Sequence, residues 1–205
     1  MRLIIVTACV LSMLATTVPA QDGALTKSSD KLTKTLSVGA KVPGQLTMTD
    51  TKGNKTSFKD LRDKVVVVTF WSDSCPYLRA AEPKLKKIHA DYAAKGVEMV
   101  TIAANQYEIA DKDAGYKRLN AHIAKNKVNF AVYPDHGNKI TDLFGARTTP
   151  HCYVIGKDGI LAYAGALDDD PRGSKGLSAT TYVRDAVDQL LDSGKVAVAK
   201  TKPYG

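Results

Sequence analysis

The sequence predicts an α/β fold in which a central mixed β-sheet is flanked by helices. Three stretches carry that prediction. The run Val65-Val66-Val67-Val68-Thr69-Phe70-Trp71 is continuous, apolar and rich in β-branched residues, the pattern of a strand buried on both faces. Residues 76–95 have helical spacing and residues 97–103 form a second apolar run, so strand, helix and strand make a right-handed unit with parallel strands. Residues 151–155 and 160–164 flank the turn signal Lys157-Asp158-Gly159, which adds an antiparallel hairpin and makes the sheet mixed.

The elements follow in chain order. Residues 1–20 read as a secretory signal peptide: Arg2 gives a positive start, residues 3–14 are mostly apolar, and Val18-Pro19-Ala20 offers small residues for cleavage. Residues 21–37 are rich in Thr, Ser and Lys and read as a flexible leader. Leu46-Thr47-Met48 and Thr56-Ser57-Phe58 flank Asp50-Thr51-Lys52-Gly53-Asn54 and predict an N-terminal β-hairpin. Lys59-Asp60-Leu61-Arg62 reads as a single helical turn before the central strand. In the helix over 76–95, Leu78, Leu85, Ile88 and Tyr92 share a face, Pro83 should kink it, and Gly96 stops it. Residues 104–126 carry a second helical pattern, with Tyr116, Leu119 and Ile123 on one face. A short strand over 130–133 and a short helix over 139–144 lead to residues 151–155. The final helix spans about residues 179–192, with an apolar stripe of Val183, Ala186, Val187, Leu190 and Leu191. The folded domain is thus placed at 38–194, followed by a basic tail over 195–205.

Composition narrows the function. The formal charge is +8, yet the lysines are dispersed and no basic run is interleaved with aromatics. That argues for a solvated basic surface and against a nucleic-acid partner. Beyond the first residues no stretch is long and apolar enough to cross a bilayer, so the mature chain has no predicted transmembrane segment. Export implies a periplasmic or extracellular setting. Two cysteines, Cys75 and Cys152, remain after cleavage, too few for a disulfide scaffold but enough for one bridge or for thiol chemistry.

Cys75 lies between the end of the central strand and Pro76, a residue suited to the first position of a helix. Backbone amides at a helix N-terminus point outward and carry partial positive charge, which stabilises a thiolate placed there. Arg79, one turn on, can add positive charge. Cys152 has two readings, a packed core residue or a resolving partner for Cys75. Trp71 reads as a core-edge anchor, and Asp73 as a loop residue or a proton acceptor. His89, His122, His136 and His151 share no metal-ligand spacing, and Asp168-Asp169-Asp170 reads as a solvated turn. No metal or organic cofactor is implied.

The stretch Phe70-Trp71-Ser72-Asp73-Ser74-Cys75-Pro76-Tyr77-Leu78-Arg79, with Glu82-Pro83 and Leu85, resembles the redoxin branch of the thioredoxin-like superfamily. That branch includes the alkyl hydroperoxide reductase/thiol-specific antioxidant proteins. Val38-Gly39 with Pro43, Asp50 and Gly53 before Phe58-Lys59-Asp60-Leu61, and Thr148-Thr149-Pro150 before Tyr153-Val154-Ile155 extend the resemblance over residues 38–191. It implies a thioredoxin-like fold, with Cys75 as nucleophile and Pro150 as a cis-proline facing it. It also implies that the Thr149 backbone contacts substrate, and that Ser72 and Pro76 support the site. It departs from the disulfide reductases at Leu78, where they carry a second cysteine, and at Ser72, where some relatives carry a cysteine and peroxiredoxins a threonine. The implied function is an exported thiol-based oxidoreductase that uses Cys75 for thiol–disulfide exchange and needs an external reductant. The alternatives are an antioxidant that reduces hydroperoxides through Cys75, and a redox-inert binding module that offers the Thr149-Pro150 groove.

Overall fold

The β-branched run becomes the middle strand of the sheet. The computed structural model describes residues 35–205; the signal peptide read at 1–20 and nearly all of the leader fall outside them. An antiparallel pair, β1 (Thr47–Thr49) and β2 (Lys55–Ser57), comes first. Then follow β3 (Val65–Trp71), α1 (Pro76–Tyr92), β4 (Val97–Ala103) and α2 (Lys117–Lys125). The chain continues with β5 (Val132–Pro134), α3 (Lys139–Phe144), β6 (His151–Ile155), β7 (Leu161–Gly165) and α4 (Tyr182–Asp192). The main sheet has the order β5-β4-β3-β6-β7. Strands β3, β4 and β5 run parallel, and β6 is antiparallel to both β3 and β7. The fold is thioredoxin-like, with the hairpin added ahead of it.

Every residue of β3 is buried, and the period of two divides them between two cores. Val65, Val67 and Trp71 pack with Leu78, Leu85 and Val187 from α1 and α4. Val66, Val68 and Phe70 pack with Met48 of the hairpin and Phe144 of α3. Each wholly buried valine contributes about 1.5–3 kcal/mol, and the one polar side chain of the strand, Thr69, meets Cys152 of β6 at 3.7 Å. Helix α1 buries Leu78, Ala81, Leu85, Ile88 and Tyr92, a stripe at helical spacing. It ends in a 3₁₀ turn and then Gly96, whose φ of 77° is a conformation that glycine adopts without penalty.

Four local expectations are corrected. The helical pattern over 104–126 is realised only over Lys117–Lys125. Its first half is a loop with a 3₁₀ turn, because the buried Glu108 side chain bonds the polypeptide around residues 72–74. The expected helical turn at residues 59–62 is a chain of tight turns. The triad at 168–170 is not solvated: Asp168 and Asp170 are 4% and 2% exposed. Lys84 Nζ pairs with Asp168 at 2.6 Å and Asp170 at 3.3 Å, which offsets the cost of burying them. The basic stretch set apart at 195–205 returns to the sheet, where Lys200 bridges to Ala164 of β7.

Candidate active site

Strand β3 and helix α1 deliver Cys75 to the edge of the sheet. Cys75 is the residue immediately before α1, with extended backbone (φ −74°, ψ 122°), and Pro76 takes the first helical position. The sulfur is partly exposed, and its thiol donates to the Thr149 carbonyl at 2.8 Å. The Thr149–Pro150 bond is cis, and Pro150 is buried at the start of β6. The loop before β6 and the N-terminus of α1 thus meet across the sulfur, which sits at the positive end of a 17-residue helix without a hydrogen bond to its amides. Beside them a cavity of 270 Å³ is lined by Phe70, Ser72, Asn105, Arg147, Thr148 and Thr149.

The loop that carries Cys75 is held by one buried carboxylate. Glu108 is 0% exposed. Its Oε1 accepts the Ser72 hydroxyl at 2.6 Å, the Ser74 hydroxyl at 2.7 Å, the Ser74 amide at 3.0 Å and the Asn105 amide group at 3.1 Å. Its Oε2 accepts the Asp73 amide at 2.9 Å. A buried carboxylate is tolerated when its lone pairs are filled in this way. On the outer side, Arg118 makes a two-pronged contact with Asp73, at 3.2 and 2.8 Å. Partial burial opposes ionisation of Asp73, but this guanidinium holds the carboxyl below its usual range.

The residues singled out in the sequence separate into two groups. Cys75, Pro76, Thr149 and Pro150 come together at the sulfur. Ser72 is buried, with its proton committed to Glu108 rather than to sulfur. Arg79 projects exposed from α1 and makes no ion pair among the described residues. Cys152 is fully buried on β6, opposite Thr69 of β3, and contacts the Thr69 hydroxyl at 3.7 Å. It is not bonded to Cys75, and burial pushes its thiol up to about 12. Leu78, at the position where disulfide reductases carry their second cysteine, is 0% exposed in the core. Trp71 is buried edge-on to His122, whose Nε2 lies 2.7 Å from Glu82. Glu108, Asn105, Ser74 and Arg118 were not foreseen as site residues. Three of them act on the loop from positions 31 to 45 residues away, and no local pattern announces such contacts. Among the described residues, no three His, Cys, Asp or Glu side chains gather to hold a metal.

A thiol at a helix start, a cis-proline opposite it and a central parallel strand pair agree with a comparison of whole sequences. Residues 38–164 match the family model of the AhpC/TSA family. The chain belongs to the AhpC/TSA family. This AhpC/TSA chain is 29% identical over 124 residues to the thiol-disulfide oxidoreductase ResA of Bacillus thuringiensis, across 60% of its own length and 66% of that protein's. The match to ResA of Bacillus anthracis has the same extent, so the chain spans less than two thirds of the length of these relatives. Among solved structures, the chain superposes on an uncharacterized conserved protein from Geobacillus kaustophilus with a TM-score of 0.69. Identity there is 26%, covering 82% of this chain and 88% of that one. A putative thioredoxin from Neisseria meningitidis gives a TM-score of 0.51 at 25% identity, covering 58% and 74%.

Proposed function

We propose that the chain is a thiol-dependent oxidoreductase that carries out thiol–disulfide exchange through Cys75. The observation that carries this reading is the placement of a partly exposed sulfur at the N-terminus of α1, 2.8 Å from the carbonyl that precedes a cis-proline. The similarity to proteins named as thiol-disulfide oxidoreductases supports it.

The chemistry follows from the residues. The Cys75 thiol releases its proton, and the thiolate is stabilised by the outward amides of α1. It attacks one sulfur of a substrate disulfide in line with the S–S bond. A Cys75–substrate disulfide forms, the original bond breaks, and the second substrate sulfur leaves as a thiolate. An external thiolate then attacks the mixed disulfide, regenerates the Cys75 thiolate and carries away the first substrate sulfur as a new disulfide. The external thiol is favoured for that second step by two observations: Leu78 fills the usual resolving position, and the Cys152 sulfur is buried against Thr69. We place the reaction outside the cytoplasm, on the reading of residues 1–20 as a cleaved signal peptide.

The test is single-turnover reaction of the purified chain with a dipyridyl disulfide and with glutathione disulfide, beside Cys75→Ser. Thionopyridine release and a mass adduct on the peptide containing Cys75, both lost in the variant, are the expected result. Rapid hydroperoxide consumption with no such adduct would transfer the reading to the peroxidase alternative.

A further inference from the structure

Residues 193–205 leave α4 and run back along β7 toward Cys75. Ala164 donates its amide to the Ala199 carbonyl at 3.0 Å, and Thr201 donates to the Ala164 carbonyl at 3.2 Å. The Thr201 hydroxyl oxygen accepts the Ala166 amide at 2.9 Å and meets the Tyr163 hydroxyl. The approach is close enough to require a glycine: a Cβ at Gly165 would collide with Thr201 Oγ1 and lie 2.7 Å from its carbonyl oxygen. Farther along, the Tyr204 hydroxyl donates to Asp168 at 2.7 Å, and its ring lies 6.1 Å from that of Tyr77, two residues past Cys75. The segment then reaches the sulfur's own partner. A Cβ at Gly205 would sit 2.6 Å from the Thr149 oxygen and 2.9 Å from the Thr149 nitrogen. That oxygen is the acceptor of the Cys75 thiol.

We propose that residues 201–205 form a detachable strap that occupies the groove beside Cys75 and Thr149, so that a protein-borne disulfide reaches the sulfur only when the strap lifts. The proposal rests on the reading of Cys75 as the reactive thiol. Two hydroxyl anchors, Thr201 and Tyr204, and a single bridge to β7 hold the segment. No side chain from 195–205 is fully buried; Val196 and Tyr204 pack against the outside of the core, so the strap can lift at the cost of its contacts with Tyr163, Ala166 and Asp168. A small disulfide needs only the exposed edge of the sulfur, whereas a folded or extended polypeptide needs the space that Tyr204 and Gly205 fill. The strap therefore discriminates by size and couples the thiol's availability to whatever displaces it.

The experiment compares the full chain with a chain lacking residues 202–205 and with Tyr204→Phe, which removes only the bond to Asp168. Each is labelled with N-ethylmaleimide and with a maleimide coupled to a small protein, and the loss of unmodified Cys75 peptide is followed by mass spectrometry. The expected result is that truncation raises the bulky-to-small rate ratio about tenfold or more, and Tyr204→Phe raises it several-fold, since a hydrogen bond to a carboxylate carries about a tenfold change in such an equilibrium. An unchanged or lower ratio in both variants overturns the strap. Dipyridyl disulfide is assayed in parallel. A raised ratio with no disulfide exchange in any variant keeps the strap and overturns the exchange reading; exchange with an unchanged ratio does the reverse.

Discussion

The Cys75 thiol and the Thr149 carbonyl meet at 2.8 Å. This contact aims the sulfur at the loop before β6, whereas Cys152, three residues beyond Thr149, lies within the sheet against Thr69. The two thiols therefore differ in access. Burial holds the Cys152 thiol up at about 12, so at pH 8 it stays protonated. Iodoacetamide at pH 8 is expected to label Cys75 and leave Cys152 unmodified until denaturant is added. Equal labelling of both in the native chain would show that β6 opens far more readily than its packing implies.

Glu108 ties the Cys75 loop to the rest of the site. Its carboxylate takes bonds from Ser72, Asp73, Ser74 and Asn105. In Glu108→Ala those donors are left without their acceptor in a buried setting, at a cost of about 3 kcal/mol or more. Tm should fall by about 10 °C, and Cys75 labelling should change in rate because the residues preceding it lose their anchor. Glu108→Gln keeps the shape and, with its oxygen in the Oε1 position, the four donors there, but turns its NH₂ toward the Asp73 amide, and an intermediate loss is expected. A melting curve within about a degree of the parent would sink this account of the loop.

What could be read from the sequence followed the range of the interactions. The β3 run and the stripe of α1 are local, periodic patterns, and both elements appear where the periodicity put them. Pro150 was legible because a proline next to a β-branched strand can be matched to a family motif. Glu108 was not, since its role depends on a loop 34 to 36 residues away folding onto it. The same holds for Asp168 and Asp170. Consecutive aspartates imply solvent until Lys84 of α1 is placed between them by the tertiary fold. A polar run shows what a segment can accept, and only the packing shows whether a partner is supplied.

Leu78 sets the limit on self-resolution. It stands three residues after Cys75 and is completely buried. Cα atoms three residues apart on a helix lie about 5 Å apart, inside the disulfide range of about 4.4–6.8 Å. Leu78→Cys is therefore expected to oxidise to an intramolecular bridge between Cys75 and the introduced thiol, seen as the loss of two hydrogens in the intact mass. Its mixed disulfide should collapse without added thiol, whereas that of the parent chain should persist. Replacing leucine with the smaller side chain removes core volume and should cost about 1–3 kcal/mol. A stable mixed disulfide in the variant would mean that the introduced sulfur cannot turn toward Cys75.

His151 gives the fold a dependence on pH. Burial lowers it to about 4, so it is neutral in the folded chain at ordinary pH. The Tyr153 hydroxyl donates to the Phe144 carbonyl at 2.9 Å and lies 3.2 Å from His151 Nδ1, an arrangement that suits Nδ1–H as donor to the phenolic oxygen. In the unfolded chain the ring takes a proton near pH 6.5. Between about 6.5 and 4 the unfolded chain thus binds more protons, and lowering the pH through that window favours unfolding. The gap corresponds to at most about 3 kcal/mol, and residual contact of the ring with solvent brings the expected loss to about 1–2 kcal/mol. His151→Asn keeps a donor for Tyr153 but does not titrate. Thermal melts of both proteins from about pH 7 to 4.5 should show the parent losing stability faster than the variant, the shared carboxylates contributing equally to each. Parallel curves would place the imidazole in contact with water rather than within the start of β6.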